Sequence, residues 1–174
     1  MDVQFTTLCE ARPGDLASLL ERAYAPLLEN DRRFWSEQRI QWHRFDASAF
    51  GQPDTVGACT FFTWVAGHLA GFASYDPRSA PDVGILGHNC VVPEFQRRGI
   101  GAAQIREVLR RLCALGIRRA RVLTLDLPFF APARRMYVSA GFSETTRGPY
   151  PNRPHMTLIE YECPLDALGD SHAS

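Results

Sequence analysis

Apolar and polar positions along this chain switch between two periods, and the switches mark out its elements. "VQFTTLC", residues 3–9, reads as a short strand. In "DLASLLERAYAPLL" Leu16, Leu19, Leu20, Ala23 and Leu27 recur at helical spacing, which predicts a first helix, with Asp15 placed to act as its N-cap. A second, less regular helical segment runs from Asp31 to about Phe45. It carries Phe34, Trp35, Ile40, Trp42 and Phe45, aromatic and apolar groups that cover either a groove or plain core, and the loop "FGQPDTVG" closes it. "ACTFFTWV" and "LAGFASY" flank a short turn and predict a hairpin, and another strand is expected over residues 84–92.

The stretch "CVVPEFQRRGIGAAQIREVLRRL", residues 90–112, joins the two periods. Ile105, Val108, Leu109 and Leu112 share one helical face, with Arg106, Glu107, Arg110 and Arg111 opposite, so a helix starts between Gly99 and Ala102. Upstream, "ILGHNCVV" is a buried strand stopped by Pro93, which has no amide hydrogen to continue a ladder. A helix start leaves amide hydrogens unpaired and carries partial positive charge, and glycines let a ligand approach the backbone, so this strand–turn–helix is an anion cradle suited to phosphate. The competing reading of a glycine pair is a plain tight turn. After the helix, Gly116 is a stop and "RARVLTLD" at 119–126 is a strand parallel to the one before the cradle. "LPFFAPARRMYVSAGF" then gives a short helix with Pro132 in its first turn and Gly141 as its stop. Strand patterns at 142–146 and 156–162 flank the proline-rich loop "RGPYPNRPH".

Composition narrows the classes. The 174 residues are 45% hydrophobic, enough for one domain over residues 1–165, with 166–174 expected as a flexible tail. Nineteen basic residues balance nineteen acidic ones, so no global field favours nucleic acid or an anionic membrane. No apolar run reaches the ~18 residues of a membrane span, and the first residues lack a signal-peptide pattern; both lead to the expectation of a cytoplasmic protein. Five scattered cysteines without a CxxC pair argue against a disulfide framework and against a zinc site, and no metal is expected.

Taken together, these elements resemble the GNAT superfamily of acyl-CoA-dependent N-acetyltransferases. Gln96, Arg97, Arg98, Gly99, Ile100 and Gly101 fit that family's Q/R-x-x-G-x-G/A pyrophosphate loop, and "ARRMYVSAGF" at 133–142 is similar to its later A-R-x-L-Y-x-x-x-G-F segment. The resemblance implies a mixed α/β single domain: a twisted central sheet of about six or seven strands, helices on both faces, and acetyl-CoA held where two parallel strands splay apart. It also implies roles. Backbone amides around Arg97 to Ala102 meet the pyrophosphate, Arg97, Arg98, Arg134 or Arg135 reach phosphates of the adenosine end, and backbone groups of Cys90, Val91 and Val92 bond the pantetheine arm. The family often carries an asparagine near that arm where this chain has Phe130.

The reaction the resemblance implies is acetyl transfer to a primary amine, by direct attack in a ternary complex. It needs a neutral amine and a proton for the departing thiolate. Tyr137, fixed by the second motif, is the candidate acid. For the base the chain offers His88, Asp82, Glu94 and His155, or a water held by Asn89. Strand alternation puts His88, Cys90 and Val92 on one face and Gly87, Asn89 and Val91 on the other, and a bulge of the kind the family commonly carries would exchange the faces. Cys90 as an acyl-carrying nucleophile has no evident partner to lower its pKa. A small-molecule amine is the expected acceptor. A protein substrate and a non-catalytic acyl-CoA sensor are the alternatives, and the acyl length and a homodimeric assembly stay open.

Overall fold

The computed structural model describes residues 2–30 and 32–165. Seven strands, β1 (Val3–Thr6), β2 (Thr60–Val65), β3 (His68–Ser79), β4 (Val83–Val91), β5 (Arg119–Leu125), β6 (Ser143–Tyr150) and β7 (Arg153–Pro164), form one mixed sheet in the order β1-β2-β3-β4-β5-β7-β6. Five helices accompany them: α1 (Asp15–Ala23), α2 (Ala25–Asn30), α3 (Arg32–Gly51), α4 (Ile100–Ala114) and α5 (Ala131–Ser139). The chain divides into two compact units. One contains the residues up to Ser74 with His88–Gln104; the other contains Tyr75–Gly87 with the residues from Ile105 onward. The expected C-terminal tail, residues 166–174, lies outside the described residues.

In the first unit the predicted helical face of α1 is buried, with Leu16, Ala17, Leu19, Leu20 and Ala23 all in the core. The helix is shorter than its periodicity suggests: it stops at Tyr24, and Pro26 lies in the first turn of the separate α2. The expected Asp15 cap is also corrected. Gly14 is the N-cap, Asp15 Oδ2 accepts from the Arg12 amide, and the carboxylate that satisfies the start of α1 is Asp46, from the middle of α3. Of the residues read on α3, Phe34, Trp35 and Trp42 are core, Phe45 is half-buried and Ile40 is exposed. Trp35 and Trp42 stack on Tyr24 with ring centroids 6.2 and 5.4 Å apart, and Phe34 meets Trp35 edge-on.

β2 and β3 form the expected hairpin. Its register slips between Thr63, opposite Gly71, and Trp64, opposite Leu69, so Ala70 is an extra residue on β3. Such a bulge turns Ala70 towards α4, where it clusters with Val65 and Ile100, while Phe72 two residues on stacks with Phe45 of α3. Helices therefore cover both faces of the sheet in this unit.

In the second unit Val83–Leu86 of β4 pair in parallel with Arg119–Val122 of β5, as a strand–helix–strand crossover requires. The predicted face of α4 is buried, and Leu112 lies directly over Gly84. α5 packs on β7 through Tyr137 and Tyr161, ring centroids 6.2 Å apart, and ends at Gly141 with φ +94°. The proline-rich segment read as a loop is instead mostly strand. β6 runs to Tyr150 and β7 restarts at Arg153, leaving a two-residue turn with Asn152 at φ +60°. Pro149 is tolerated because β6 is an edge strand, where a missing amide hydrogen breaks no second ladder.

Candidate active site

Pro93 ends β4 as the sequence predicts, and the chain turns through residues 93–95 into the start of α4. Two residues of this turn are left-handed, Arg97 at φ +59° and Gly99 at φ +78°. A left-handed residue is unfavourable for arginine and easy for glycine, and a backbone that alternates in this way is one in which successive amides can face a single anion. The first intrahelical bond runs from the Ala103 amide to the Gly99 carbonyl, 3.0 Å, so the amides just before it have no carbonyl one turn earlier. A Cβ built on Gly99 meets nothing within 4 Å, and Arg97 and Arg98 are exposed. The Arg98 guanidinium lies over the Phe95 ring, 5.5 Å from its centroid. Gln96, predicted to face the ligand, uses its side chain locally: Nε2 donates to the Val91 carbonyl at 2.9 Å, tying the turn to the strand end.

On β4 the structure assigns the two faces that alternation left open. His88 points to the α3 side, where its ring meets Phe45 edge-on at 4.7 Å and Phe72 at 6.1 Å. Burial among these rings pushes its pKa down to about 4. Its ring nitrogens bond to no described residue, and its backbone amide donates to Ser74 Oγ at 2.9 Å. Asn89 points to the α4 side and donates from Nδ2 to Gln104 Oε1 at 2.7 Å. Val91 shares that side, packing on Val65, Ala70 and Ile100. The alternation holds from His88 to Val91.

Cys90 is buried, and burial pushes its thiol up to about 12, against the thiolate that a nucleophile needs. Its carbonyl fits closely against β3: a Cβ on Gly71 would collide with Cys90 O, so only glycine fits there. Val92 is fully buried and its amide donates to the Ala70 carbonyl at 2.9 Å. Gln104 was not singled out by the sequence reading. It lies on the buried face of α4, four residues after Ile100, and a lone amide among apolar neighbours was the available signal.

In the second unit, Tyr137 is buried, its phenol pushed up to about 12 by that burial. Its ring is fixed by Phe142 at 5.9 Å and Tyr161 at 6.2 Å. No described residue hydrogen-bonds its hydroxyl, and among the described residues no side-chain polar atom is both sealed and unpaired, so the hydroxyl is open at its tip. Arg134 is committed elsewhere: Nη1 donates to the carbonyls of Leu125 and Leu127 at 2.9 and 3.0 Å, and Nη2 pairs with Asp126 at 3.1 Å. It therefore clamps the end of β5. Phe130 stands as the residue before α5, its ring edge-on to Phe129.

The remaining base candidates are surface groups. Glu94 is exposed, and its own backbone amide and then the Arg22 guanidinium, 2.9 Å away, hold its carboxyl below the usual range. Asp82 pairs with Arg118 at 3.3 Å, and His155 is exposed on β7. Among the described residues no group of three or more His, Cys, Asp or Glu side chains is placed to hold a metal ion, and no helix is long and apolar enough to cross a membrane.

Residues 18–142 match the sequence model of the acetyltransferase (GNAT) family. No curated protein matches the chain. Among solved structures the fold is similar to a protein of Desulfovibrio desulfuricans described as a GNAT-family acetyltransferase, with a TM-score of 0.73, 24% identity and coverage of 94% of this chain and 99% of the other. It is also similar to the ribosomal-protein-S18-alanine N-acetyltransferase of Escherichia coli, TM-score 0.60, 20% identity, covering 94% of each chain. A third is a GNAT-family acetyltransferase of Elizabethkingia anophelis with acetyl-CoA bound, TM-score 0.53 and 14% identity, covering 60% of this chain and 74% of that one.

Proposed function

The chain belongs to the GNAT acetyltransferase family, acyl-CoA-dependent acyltransferases, and on that premise we propose that it transfers the acetyl group of acetyl-CoA to the primary amine of a small molecule, by direct attack in a ternary complex. The observation that carries this reading is the turn at the start of α4, where Arg97 and Gly99 are left-handed, the amides before Ala103 have no carbonyl one turn earlier, and Arg97 and Arg98 are exposed. That is the chemistry a pyrophosphate requires, and it fits coenzyme A.

Bound there, acetyl-CoA supplies an activated acyl carbonyl and a thiol leaving group. The amides from Arg98 to Ala102 hold the pyrophosphate, and Arg97 and Arg98 serve the phosphates of the adenosine end. Arg134, clamped on Leu125, Leu127 and Asp126, shapes the end of β5 and is not assigned to a phosphate. Backbone groups of Cys90 and Val91 bond the pantetheine amides as an added strand would, within what Gln104 and Gln96 leave free of their carbonyls; Val92 is not assigned there, because its amide donates to Ala70 and its carbonyl accepts from Phe95. Tyr137 gives its hydroxyl proton, or a hydrogen bond, to the sulfur as it departs; a buried phenol whose hydroxyl no described residue bonds and which is not sealed supports this. His88 lies on the α3 face of β4, opposite Asn89, and burial keeps it neutral at pH 7, so it is not assigned as the base and the amine's proton leaves to water.

The neutral net charge supports a small-molecule acceptor, because it offers no field for a basic protein tail. Similarity to the ribosomal-protein-S18-alanine N-acetyltransferase over 94% of both chains supports a second reading, acetylation of a protein N-terminus. The deciding experiment incubates the protein with acetyl-CoA and, separately, a panel of small primary amines and a panel of peptides with free N-termini, and reads acetylated product by mass. Product with the amines is expected. Product confined to the peptides would replace the first reading with the second.

A further inference from the structure

Gln104 is fully buried, yet each hydrogen-bonding end of its amide is used. Nε2 lies 3.2 Å from the Cys90 carbonyl and 2.8 Å from Thr63 Oγ1, and Oε1 lies 2.7 Å from Asn89 Nδ2. The polarity of this chain of bonds is fixed at one end. A backbone carbonyl can only accept, so the Gln104 group facing Cys90 O is the NH2 end, and its oxygen is left for Asn89. That oxygen also only accepts, so Asn89 must meet it with Nδ2. Asn89 Oδ1 is what remains. No described residue donates to it, and among the described residues no side-chain polar atom is both sealed and unpaired, so it opens to solvent.

The direction matters chemically. An outward NH2 group donates to the lone pair of an amine and occupies the electrons that must attack. An outward carbonyl oxygen accepts an N–H of the same amine and leaves the lone pair free. We propose that Gln104 is a positioning residue that locks the Asn89 amide with its oxygen outward, and that Asn89 Oδ1 takes an N–H of the acceptor amine. The proposal rests on the acetyltransferase reading above. It assigns the acceptor's orientation to one side chain and that side chain's polarity to a buried neighbour on α4, the helix whose first turn forms the anion cradle.

The test measures kcat and KM for an amine acceptor, and the dissociation constant of acetyl-CoA, in wild type, Asn89→Ala, Gln104→Met, Gln104→Glu and the Asn89→Ala/Gln104→Met double variant. Loss of one hydrogen bond is expected to lower kcat/KM for the amine about 10-fold in Asn89→Ala, with acetyl-CoA affinity unchanged. Gln104→Met should show a similar loss, and the double variant should be no worse than Asn89→Ala, since the two changes remove one interaction. A buried glutamic acid stays protonated, so Gln104→Glu can donate to Cys90 O and accept from Asn89; it should keep near wild-type kcat/KM at neutral pH and lose it as the pH is raised. Additive losses in the double variant, or Gln104→Glu as impaired at neutral pH as Gln104→Met, would overturn the positioning role. An unchanged kcat/KM in Asn89→Ala, or a weakened acetyl-CoA affinity there, would overturn the assignment of Asn89 to the amine while acetyl transfer by wild type stands. Wild type without amine-dependent transfer would contradict the functional reading itself, and the proposal with it.

Discussion

Asp46 holds the start of a helix thirty residues earlier in the chain: its Oδ1 accepts the Leu16 amide at 3.0 Å, and its Oδ2 the Gly14 amide at 2.8 Å. The carboxylate is buried, and it replaces the local cap that α1 lacks. Asp46→Ala strands these amides, so a loss of about 2 kcal/mol is expected, at the upper end for a cap. For a chain of this size that is a fall in melting temperature of roughly 4 to 8 °C. Asp46→Asn keeps an acceptor oxygen and should lose less. Thermal unfolding of the two variants checks the order, and an Asp46→Ala protein as stable as wild type would show that the cap carries no stability.

His88 makes the fold sensitive to acid. Its pKa is about 4 in the folded protein and ordinary, ~6.5, when unfolded, so between these values the unfolded chain binds the extra proton. Stability is therefore full above about pH 6.5 and declines as the pH falls towards 4, by up to about 3 kcal/mol from this residue alone. Melting temperatures of wild type and His88→Gln measured across that range should diverge, with the shallower slope in the variant. Parallel slopes would place the acid sensitivity elsewhere.

Tyr137→Phe keeps the ring between Phe142 and Tyr161 and removes only the hydroxyl. Folding and CoA affinity should change little, while kcat falls about 10- to 1,000-fold; a fall of about 100-fold corresponds to about 2.7 kcal/mol of transition-state stabilisation. Since burial pushes the phenol up to about 12, no alkaline loss of rate below that pH traces to it. Steady-state rates at saturating acetyl-CoA, paired with a CoA titration, give the comparison. Unchanged turnover would remove Tyr137 as the acid, and weakened CoA binding with unchanged turnover would make its hydroxyl a cofactor ligand.

Local patterns in the sequence gave away the elements around the cradle. The face of α4, the stop at Pro93 and the helix start between Gly99 and Ala102 each follow from spacing and residue type within a few positions, and each is where it was expected. What the sequence hid depends on partners far along the chain. The cap of α1 comes from α3, so Asp15 looked sufficient. The environment of His88 comes from Phe45 and Phe72, and nothing in "GILGHNC" foretells a pKa near 4. Gln104 looks like an ordinary helix residue until Thr63 and Asn89 are seen against it. The prolines at 149 and 154 argued for a loop because they break ladders; at an edge strand and a strand end that cost vanishes.

The central claim is that the turn into α4 holds acetyl-CoA by its pyrophosphate, and a melting-temperature titration of wild type and Gly101→Glu with CoA tests it most directly. At about 100 times its dissociation constant, CoA should stabilise wild type by about 2.7 kcal/mol, a rise of roughly 5 to 11 °C. Gly101→Glu puts bulk and negative charge in the first turn of α4, where the pyrophosphate is to sit, and should show no rise. A folded wild-type protein, free of bound cofactor, that shows no shift at millimolar CoA would contradict the account, as would a Gly101→Glu protein that responds to CoA as wild type does.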